Sequence, residues 1–452
     1  MQGFQINNAI IEEIQNWIEL KEDHKLKEKL LSAHYADIAE IFERLPQDQA
    51  VYLFKLIDTK KTADALAEVD EDTRLEILKK LTPKEIAQEI QELDTDDAAD
   101  VVGELPQDRQ SRVMEQINDG NLLQHIRELL KYQENTAGAI MAKELIKVHL
   151  DTKITDCLTE MRSMAKNVKR VHSIYVVDDH HKLLGRLSLK DLITAQEHAT
   201  VKDIYIPKVD YVHDQRPMED VVRIMRKYDL EALPVVDDQT RLIGRITIDD
   251  AVDFFAEAAE EDYFLSAGVS TPVEIYDSVI DLTRARLPWL LLGLFGGLGT
   301  VFILQGYESI MESQSLRALF FYTPLISAMA GNVGVQSSAI IVQGIANNII
   351  RGSIHKLLFK EFGLSLINGI ALGGLIILFG LAINQDLRFS LTIALSLYVV
   401  IIVAGIIGTL VPLILNKWRL DPALATGPFI TTSNDIFSIL LFFYIAKVSL
   451  GF

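Results

Sequence analysis

The sequence predicts a multidomain protein: an N-terminal α-solenoid, a tandem pair of α/β domains, an amphipathic connecting helix and an all-α transmembrane domain of five helices. Three observations predict it. At 452 residues the chain is too long for one core. Two internal repeats, with periods of 12 and 59 residues, occupy its first half. Charge then stops abruptly. Met1–Thr283 holds 34 Lys+Arg and 57 Asp+Glu, a net of −23, whereas Arg284–Phe452 holds 10 and 6, a net of +4; together they give the chain's −19. The expected boundaries are 1–134 for the solenoid, 135–200 and 201–252 for the α/β pair, 253–283 for the connecting helix and 284–452 for the membrane domain.

The solenoid is read from an aliphatic residue paired with a turn or cap residue every twelve positions: Leu45-Pro46, Ile57-Asp58, Val69-Asp70, Leu81-Thr82, Leu93-Asp94, Leu105-Pro106 and Ile117-Asn118. Asp, Thr and Asn cap helix starts and Pro suits a first turn. Thr82 followed by Glu85 reads as a capping box. The expected unit is a helix of about eight to ten residues, folded back on its neighbours.

The second repeat runs from Ile174-Tyr175-Val176-Val177-Asp178-Asp179 to Leu184-Gly185-Arg186, and again from Leu233-Pro234-Val235-Val236-Asp237-Asp238 to Ile243-Gly244-Arg245. Each copy reads as strand, acidic turn, strand, then a capped helix. The pattern resembles a tandem pair of CBS domains. That resemblance implies a regulatory module with a cleft for an adenosine nucleotide such as ATP. There is no GxxxxGK[ST] phosphate loop.

From Asp249 to Gly268 the chain reads as one amphipathic helix, with Val252, Phe255, Ala259 and Tyr263 at helical intervals. It carries seven carboxylates, including Asp250, Asp253, Glu261 and Asp262, which repel one another. Two readings stay open: a solvated acidic face, or a surface where Mg²⁺ sits between this helix and acids on neighbouring elements.

A span needs roughly 20 apolar residues. Apolar runs occur at Leu287–Leu304, Ala318–Ile350, Phe362–Ile383, Phe389–Leu415 and Leu424–Ala446. Arg284, Arg286, Arg351, Lys356, Lys360, Lys417 and Arg419 flank one side of these spans, and Arg317, Arg388 and Lys447 the other. Seven against three places the N-terminal region in the cytosol and Phe452 outside, in the plasma membrane. Gly293 and Gly297 form a small-xxx-small pair, a helix-packing signal.

Asp435 is the one charge in the last span. A carboxylate there costs at least ~2.5–3.5 kcal/mol on insertion scales, so it faces a bundle interior or a water path. Thr431 and Ser438 share its face by spacing. Gly427-Pro428 upstream breaks the helix and frees carbonyls. Asn332, Gln336, Gln343 and Asn347 form a second polar stripe, on helix two. It serves either interhelical hydrogen bonding or, with Asp435, a cation path. Mg²⁺ dehydrates reluctantly, so one carboxylate with amides and hydroxyls suits a hydrated ion. In a two-fold dimer, paired Asp435 residues would flank a central pore.

This order of domains resembles the MgtE-type magnesium transporter family. Tyr322-Thr323-Pro324 and Ala330-Gly331-Asn332-Val333-Gly334-Val335-Gln336 are similar to its GGNxGxQ-type signature, with Ala330 in place of the usual Gly. Asp421-Pro422-Ala423-Leu424 and Thr431-Thr432-Ser433-Asn434-Asp435 match its last-helix pattern. The resemblance covers essentially the whole chain. It implies a homodimeric Mg²⁺ channel with Asp435 as pore carboxylate and the connecting helix as a plug. It further implies regulatory Mg²⁺ sites at Asp96 and Asp100, at Glu219, Asp229, Asp250 and Asp253, at Glu261 and Asp262, and at Asp421. Position 258 is Ala where another acid is expected, which lowers the Mg²⁺ affinity expected of the lock.

A net of −23 in the soluble part repels phosphate and argues against nucleic acid. It suits cations, although acidity also serves solubility alone. The lone Cys157 permits no internal disulfide and fits a reducing cytosol. The N-terminus lacks a signal-peptide pattern. No nucleophile–base set or Cys/His metal spacing suggests an enzyme. The alternatives to a channel are a proton- or sodium-coupled divalent cation carrier and a non-transporting membrane receptor for Mg²⁺ or nucleotide.

Overall fold

The computed structural model describes residues 6–164, 171, 173–196, 198–273, 277–308, 316–347, 349–350, 353–425 and 427–451. Arg351, counted above for orientation, lies outside them. The chain divides into two compact units, 1–255 and 256–452.

The described residues of the first unit begin with ten helices: α1 (Asn8–Glu19), α2 (Asp23–Leu31), α3 (Tyr35–Arg44), α4 (Gln47–Leu56), α5 (Thr59–Glu68), α6 (Glu71–Lys80), α7 (Pro83–Ile90), α8 (Thr95–Gly103), α9 (Gln107–Met114) and α10 (Gly120–Leu129). From α4 onward each begins just after one of the twelve-residue landmarks. The aliphatic residue of each landmark from Leu45 to Ile117, Ile57 excepted, is buried, so the period marks the residues that close the solenoid core. Alternate helices pack on each other, α3 on α5, α5 on α7 and α7 on α9. Thr82 and Glu85 do form the capping box, with Glu85 Oε2 accepting from the Thr82 amide at 2.6 Å. Pro46 and Pro106 stand one position earlier than expected, at the N-caps of α4 and α9. A proline there leaves the following amides of the first turn intact.

A short helix α11 (Ala137–Ile140) leads into the α/β pair. The first domain holds β1 (Ile146–His149), α12 (Ile154–Met164), β2 (Ile174–Val177), β3 (Leu183–Leu187), α13 (Leu189–Thr194), α14 (Val201–Ile204) and β4 (Ile206–Pro207). Its sheet order is β1-β2-β3-β4, with β1 parallel to β2 and the other pairs antiparallel. The second holds β5 (Val212–His213), α15 (Met218–Tyr228), β6 (Ala232–Val236) and β7 (Leu242–Thr247), in the order β5-β6-β7. Register makes the repeat physical: Ile174 pairs with Leu187 and Leu233 with Ile246, the same pairing displaced by 59 residues. The acidic turns match too. Asp178 Oδ1 accepts from the amides of His180 and Lys182, and Asp237 Oδ1 from those of Gln239 and Arg241. An Asp side chain that bonds the backbone two residues on is what closes such a turn.

Helix α16 (Ile248–Ala267) is continuous, as its periodicity predicts. Of its apolar face, Val252, Phe255 and Tyr263 are exposed, whereas Ala251 and Leu265 are buried.

Among the described residues, the second unit contains five helices long and apolar enough to cross a membrane: α17 (Val279–Gln305), α18 (Leu319–Ala346), α19 (Ile354–Ala382), α20 (Leu387–Lys417) and α21 (Pro428–Leu450). Their core includes Ile326, Ala330, Ile401, Phe442 and Phe443. Two expectations shift. The last helix starts at Pro428 rather than Leu424, because Pro422–Ala425 forms a separate 3₁₀ turn and Gly427 takes φ +58°. Gly293 and Gly297 have no atom within 4 Å of an added Cβ; the close approach falls on Gly296, whose Cβ would stand 1.9 Å from Thr432 Cγ2.

Candidate functional site: a membrane cavity and buried carboxylates

The cavity lies between α18 and α21. It measures about 600 Å³, and Ser327, Gly331, Asn332 and Gln336 of α18 line it together with Thr431 and Asp435 of α21. Helix α18 passes Pro324 in its second turn without losing its course, and Gly331 and Gly334 keep its surface low where α21 approaches. Ser327 Oγ donates to Asp435 Oδ1 at 2.5 Å. The half-buried carboxylate is thus held on one oxygen and faces the cavity. A carboxylate, two amides and two hydroxyls offer oxygen ligands and repel anions, the donor set suited to a hydrated hard cation.

The polar stripes are only partly brought together. Asn332 and Gln336 reach the cavity, whereas Gln343 is exposed and Asn347 Nδ2 donates back to the Gln343 carbonyl. Ser438 does not join Asp435; its hydroxyl donates to the Asp435 carbonyl, and its side chain is buried. The carbonyl freed at Gly427 is taken by Thr431, whose amide and hydroxyl both donate to it, at 3.1 and 3.0 Å.

Asn434 escapes the stripe reading and proves to be a key packing residue. It is 1% exposed and donates from Nδ2 to the Ala330 carbonyl at 3.2 Å. Gly334 makes room for it: a Cβ there would stand 1.8 Å from Asn434 Nδ2. On the other side, a Cβ at Gly408 would stand 2.4 Å from the Gly334 carbonyl oxygen. Three helices therefore meet at one glycine backbone beside the cavity.

The soluble unit holds a second group. Asp96, on α8, is buried, and its Oδ1 has no hydrogen-bond partner among the described residues. Burial raises its pKa well above the ordinary value, and Asp97, Asp250, Glu144 and Asp94 raise it further. Asp250 is pushed up by burial as well, although Thr247 donates to its Oδ2 from both amide and hydroxyl. Glu144 is a member that the sequence reading missed; its Oε2 accepts from Thr95 Oγ1 at 2.8 Å. Among the described residues no three carboxylate, His or Cys side chains converge into a cage for a bare ion. The orphaned Asp96 oxygen and the crowding of acids fit a cation held through its water shell.

The remaining predicted residues are dispersed. Asp100 is exposed one turn beyond Asp96. Glu219 and Asp229 stand at opposite ends of α15, ~15 Å apart by helix rise, and Asp229 caps that helix with φ +51°. Asp253 is exposed, with a pKa raised by partial desolvation and Asp249. In the second unit Asp262 is raised by desolvation, Asp421 and Glu261, so these three acids share one field.

Comparison with known proteins matches three family descriptions: a divalent cation transporter domain over 323–445, an MgtE intracellular N domain over 33–135, and CBS domains over 137–198 and 201–257. The chain is 35% identical over 71% of its length to a magnesium transporter MgtE of Enterococcus faecalis, covering 70% of that protein. It is 33% identical over 71% of its length to one from Thermus thermophilus, covering 72% of it. Its soluble part is similar to the crystal structure of the cytosolic domain of the Mg²⁺ channel MgtE in complex with ATP, with a TM-score of 0.51, 30% identity, and coverage of 54% of this chain and 99% of that one.

Proposed function

The chain belongs to the MgtE family of magnesium transporters, and from that premise we propose that it is a homodimeric Mg²⁺-selective channel for magnesium uptake, closed when cytosolic Mg²⁺ occupies its acidic regions. The observation that carries this reading is Asp435, a carboxylate in a membrane helix that faces a cavity of about 600 Å³ lined by amides and hydroxyls. A hydrated Mg²⁺ passes such a site without losing its inner waters, gripped through them by the carboxylate and by Asn332 and Gln336. The surplus of basic residues on one side of the spans supports a cytosolic N-terminus and an external C-terminus.

Gating follows from differential binding to two states. Without Mg²⁺, Asp94, Asp96, Asp97, Glu144 and Asp250 repel one another. A bound cation relieves that repulsion and favours the compact arrangement. Asp262, Glu261 and Asp421 act in the same way in the second unit, with Asp100, Glu219, Asp229 and Asp253 adding to the field. The likeness to an ATP-bound cytosolic domain supports ATP binding at the CBS pair. The test is Mg²⁺ flux into proteoliposomes holding the full chain. Asp435→Ala should abolish it while the protein still purifies as a dimer. Undiminished flux would remove Asp435 from the path.

A further inference from the structure

A second carboxylate enters the helix bundle away from the Asp435 cavity. The apolar run of the third span begins at Phe362, so the sequence leaves Glu361 at its edge. The structure turns its side chain inward, between three helices. Ser337 Oγ of α18 donates to Glu361 Oε1 at 2.7 Å. On α20, Gly405 faces the same point: a Cβ there would stand 2.7 Å from Glu361 Oε1 and 2.7 Å from Ser365 Oγ. Gly405 lies twelve residues before Lys417, the end of its helix, which is ~18 Å of helix rise. Glu361 is partly exposed and stands seven residues into α19, ~10 Å of helix rise, and Ser365 one turn further in is buried.

Two features of this group call for a ligand. Ser365 is 1% exposed, and its Oγ has no hydrogen-bond partner among the described residues. Glu361 enters none of the ion pairs formed among those residues, and Lys356 and Lys360 on its own helix are exposed. Intramembrane carboxylates are costly and normally pair with a cation or serve an ion or proton path.

We propose that Glu361, Ser337 and Ser365 form a binding site for a small monovalent cation of sodium's kind. The ligand set fits that charge. One carboxylate balances one positive charge, and two hydroxyls supply neutral oxygens. Mg²⁺ would demand near-octahedral oxygens and keep a net charge inside the bundle. Gly405 lets Glu361 Oε1 and Ser365 Oγ approach the α20 backbone, since any side chain there would meet them. Neither Glu361 nor Ser365 lines the Asp435 cavity, so the inference stands apart from the proposed channel function.

The experiment is thermal unfolding of the purified full chain, free of Mg²⁺, in sodium, potassium or N-methylglucamine chloride at equal ionic strength. Sodium should raise the Tm above the other two salts. Glu361→Gln should lose that shift, and Ser365→Ala should raise the half-saturating sodium concentration several-fold. Should Glu361→Gln fail to fold, Ser365→Ala carries the test alone, because it removes a hydroxyl with no partner among the described residues. Asp435→Asn should keep the shift. Equal melting in all three salts, a shift unaltered in Ser365→Ala, or its loss in Asp435→Asn would each overturn the proposal.

Discussion

The backbone of Gly427 abuts the carbonyl of Ser266: a Cβ at position 427 would stand 2.3 Å from that oxygen. Gly427 takes φ +58° and ψ −129°, a region open almost only to glycine. Its counterpart Gly268 takes φ +78°, and a Cβ there would stand 2.4 Å from Pro428 Cγ. The end of the connecting helix and the start of the Asp435 helix are thus fitted backbone to backbone. Ala at 427 is strained whatever the space, by about 1–3 kcal/mol. It must also push the Ser266 carbonyl away. Gly427→Ala should conduct Mg²⁺ yet close only at higher Mg²⁺. Flux measured against internal Mg²⁺ checks this, and an unchanged closing concentration would dismiss the contact as part of the gate.

The three-helix meeting at Gly334 gives a sharper packing prediction. Gly408→Ala places a methyl 2.4 Å from the Gly334 carbonyl and 3.0 Å from its Cα, both backbone atoms that cannot rotate away. Overpacking of this kind costs about 1–3 kcal/mol or more. Gly297→Ala meets nothing within 4 Å. The first variant should melt several degrees lower in detergent and the second should match wild type. Equal melting of both would contradict the helix contact.

The contrast between those glycines shows what the sequence could and could not reveal. The spans, the twelve-residue solenoid period and the 59-residue register were legible because burial repeats with the geometry of each element. Asp435 stood out because charge in a span is costly. Ser327, Asn434 and Glu144 did not stand out. Their partners lie 108, 104 and 49 residues away. Spacing along one helix fixes a face but not which neighbour covers it. That is why Gly293 and Gly297 carry the sequence signal while Gly296 makes the contact, and why Ser438 shares a face by spacing with a carboxylate it does not serve.

Glu89 gives the solenoid a pH dependence. It is 7% exposed, and burial lifts its pKa from 4.5 to about 7, against the hydrogen bond from Thr62 Oγ1 at 2.7 Å, which lowers it. The folded state therefore binds the proton more tightly than the unfolded one. Stability from this group is full below pH 4.5 and is lost as pH rises to about 7, a swing of roughly 3 kcal/mol at most. Glu89→Gln should flatten that slope and be more stable than wild type at pH 8. Hydrogen exchange of α5 and α7 at several pH values reads it, and a slope unchanged in the variant would refute it.

Asp96 links pH to Mg²⁺. Burial first, then Asp97, Asp250, Glu144 and Asp94, holds its pKa well above the carboxylate range. By the same sign the ion-free protein gains stability at low pH, where Asp96 is protonated, and loses it as pH rises through that elevated pKa. A cation bound there must displace the proton, so its affinity rises with pH. Mg²⁺ should therefore raise the Tm of the soluble unit more at pH 8 than at pH 6. Asp96→Asn removes both the proton and the charge. It should be at least as stable as wild type without Mg²⁺, and its Mg²⁺-induced shift should shrink and no longer depend on pH. Calorimetry of both proteins at the two pH values decides it: a shift that is the same at pH 6 and pH 8 in wild type would place the responding cation elsewhere than against Asp96.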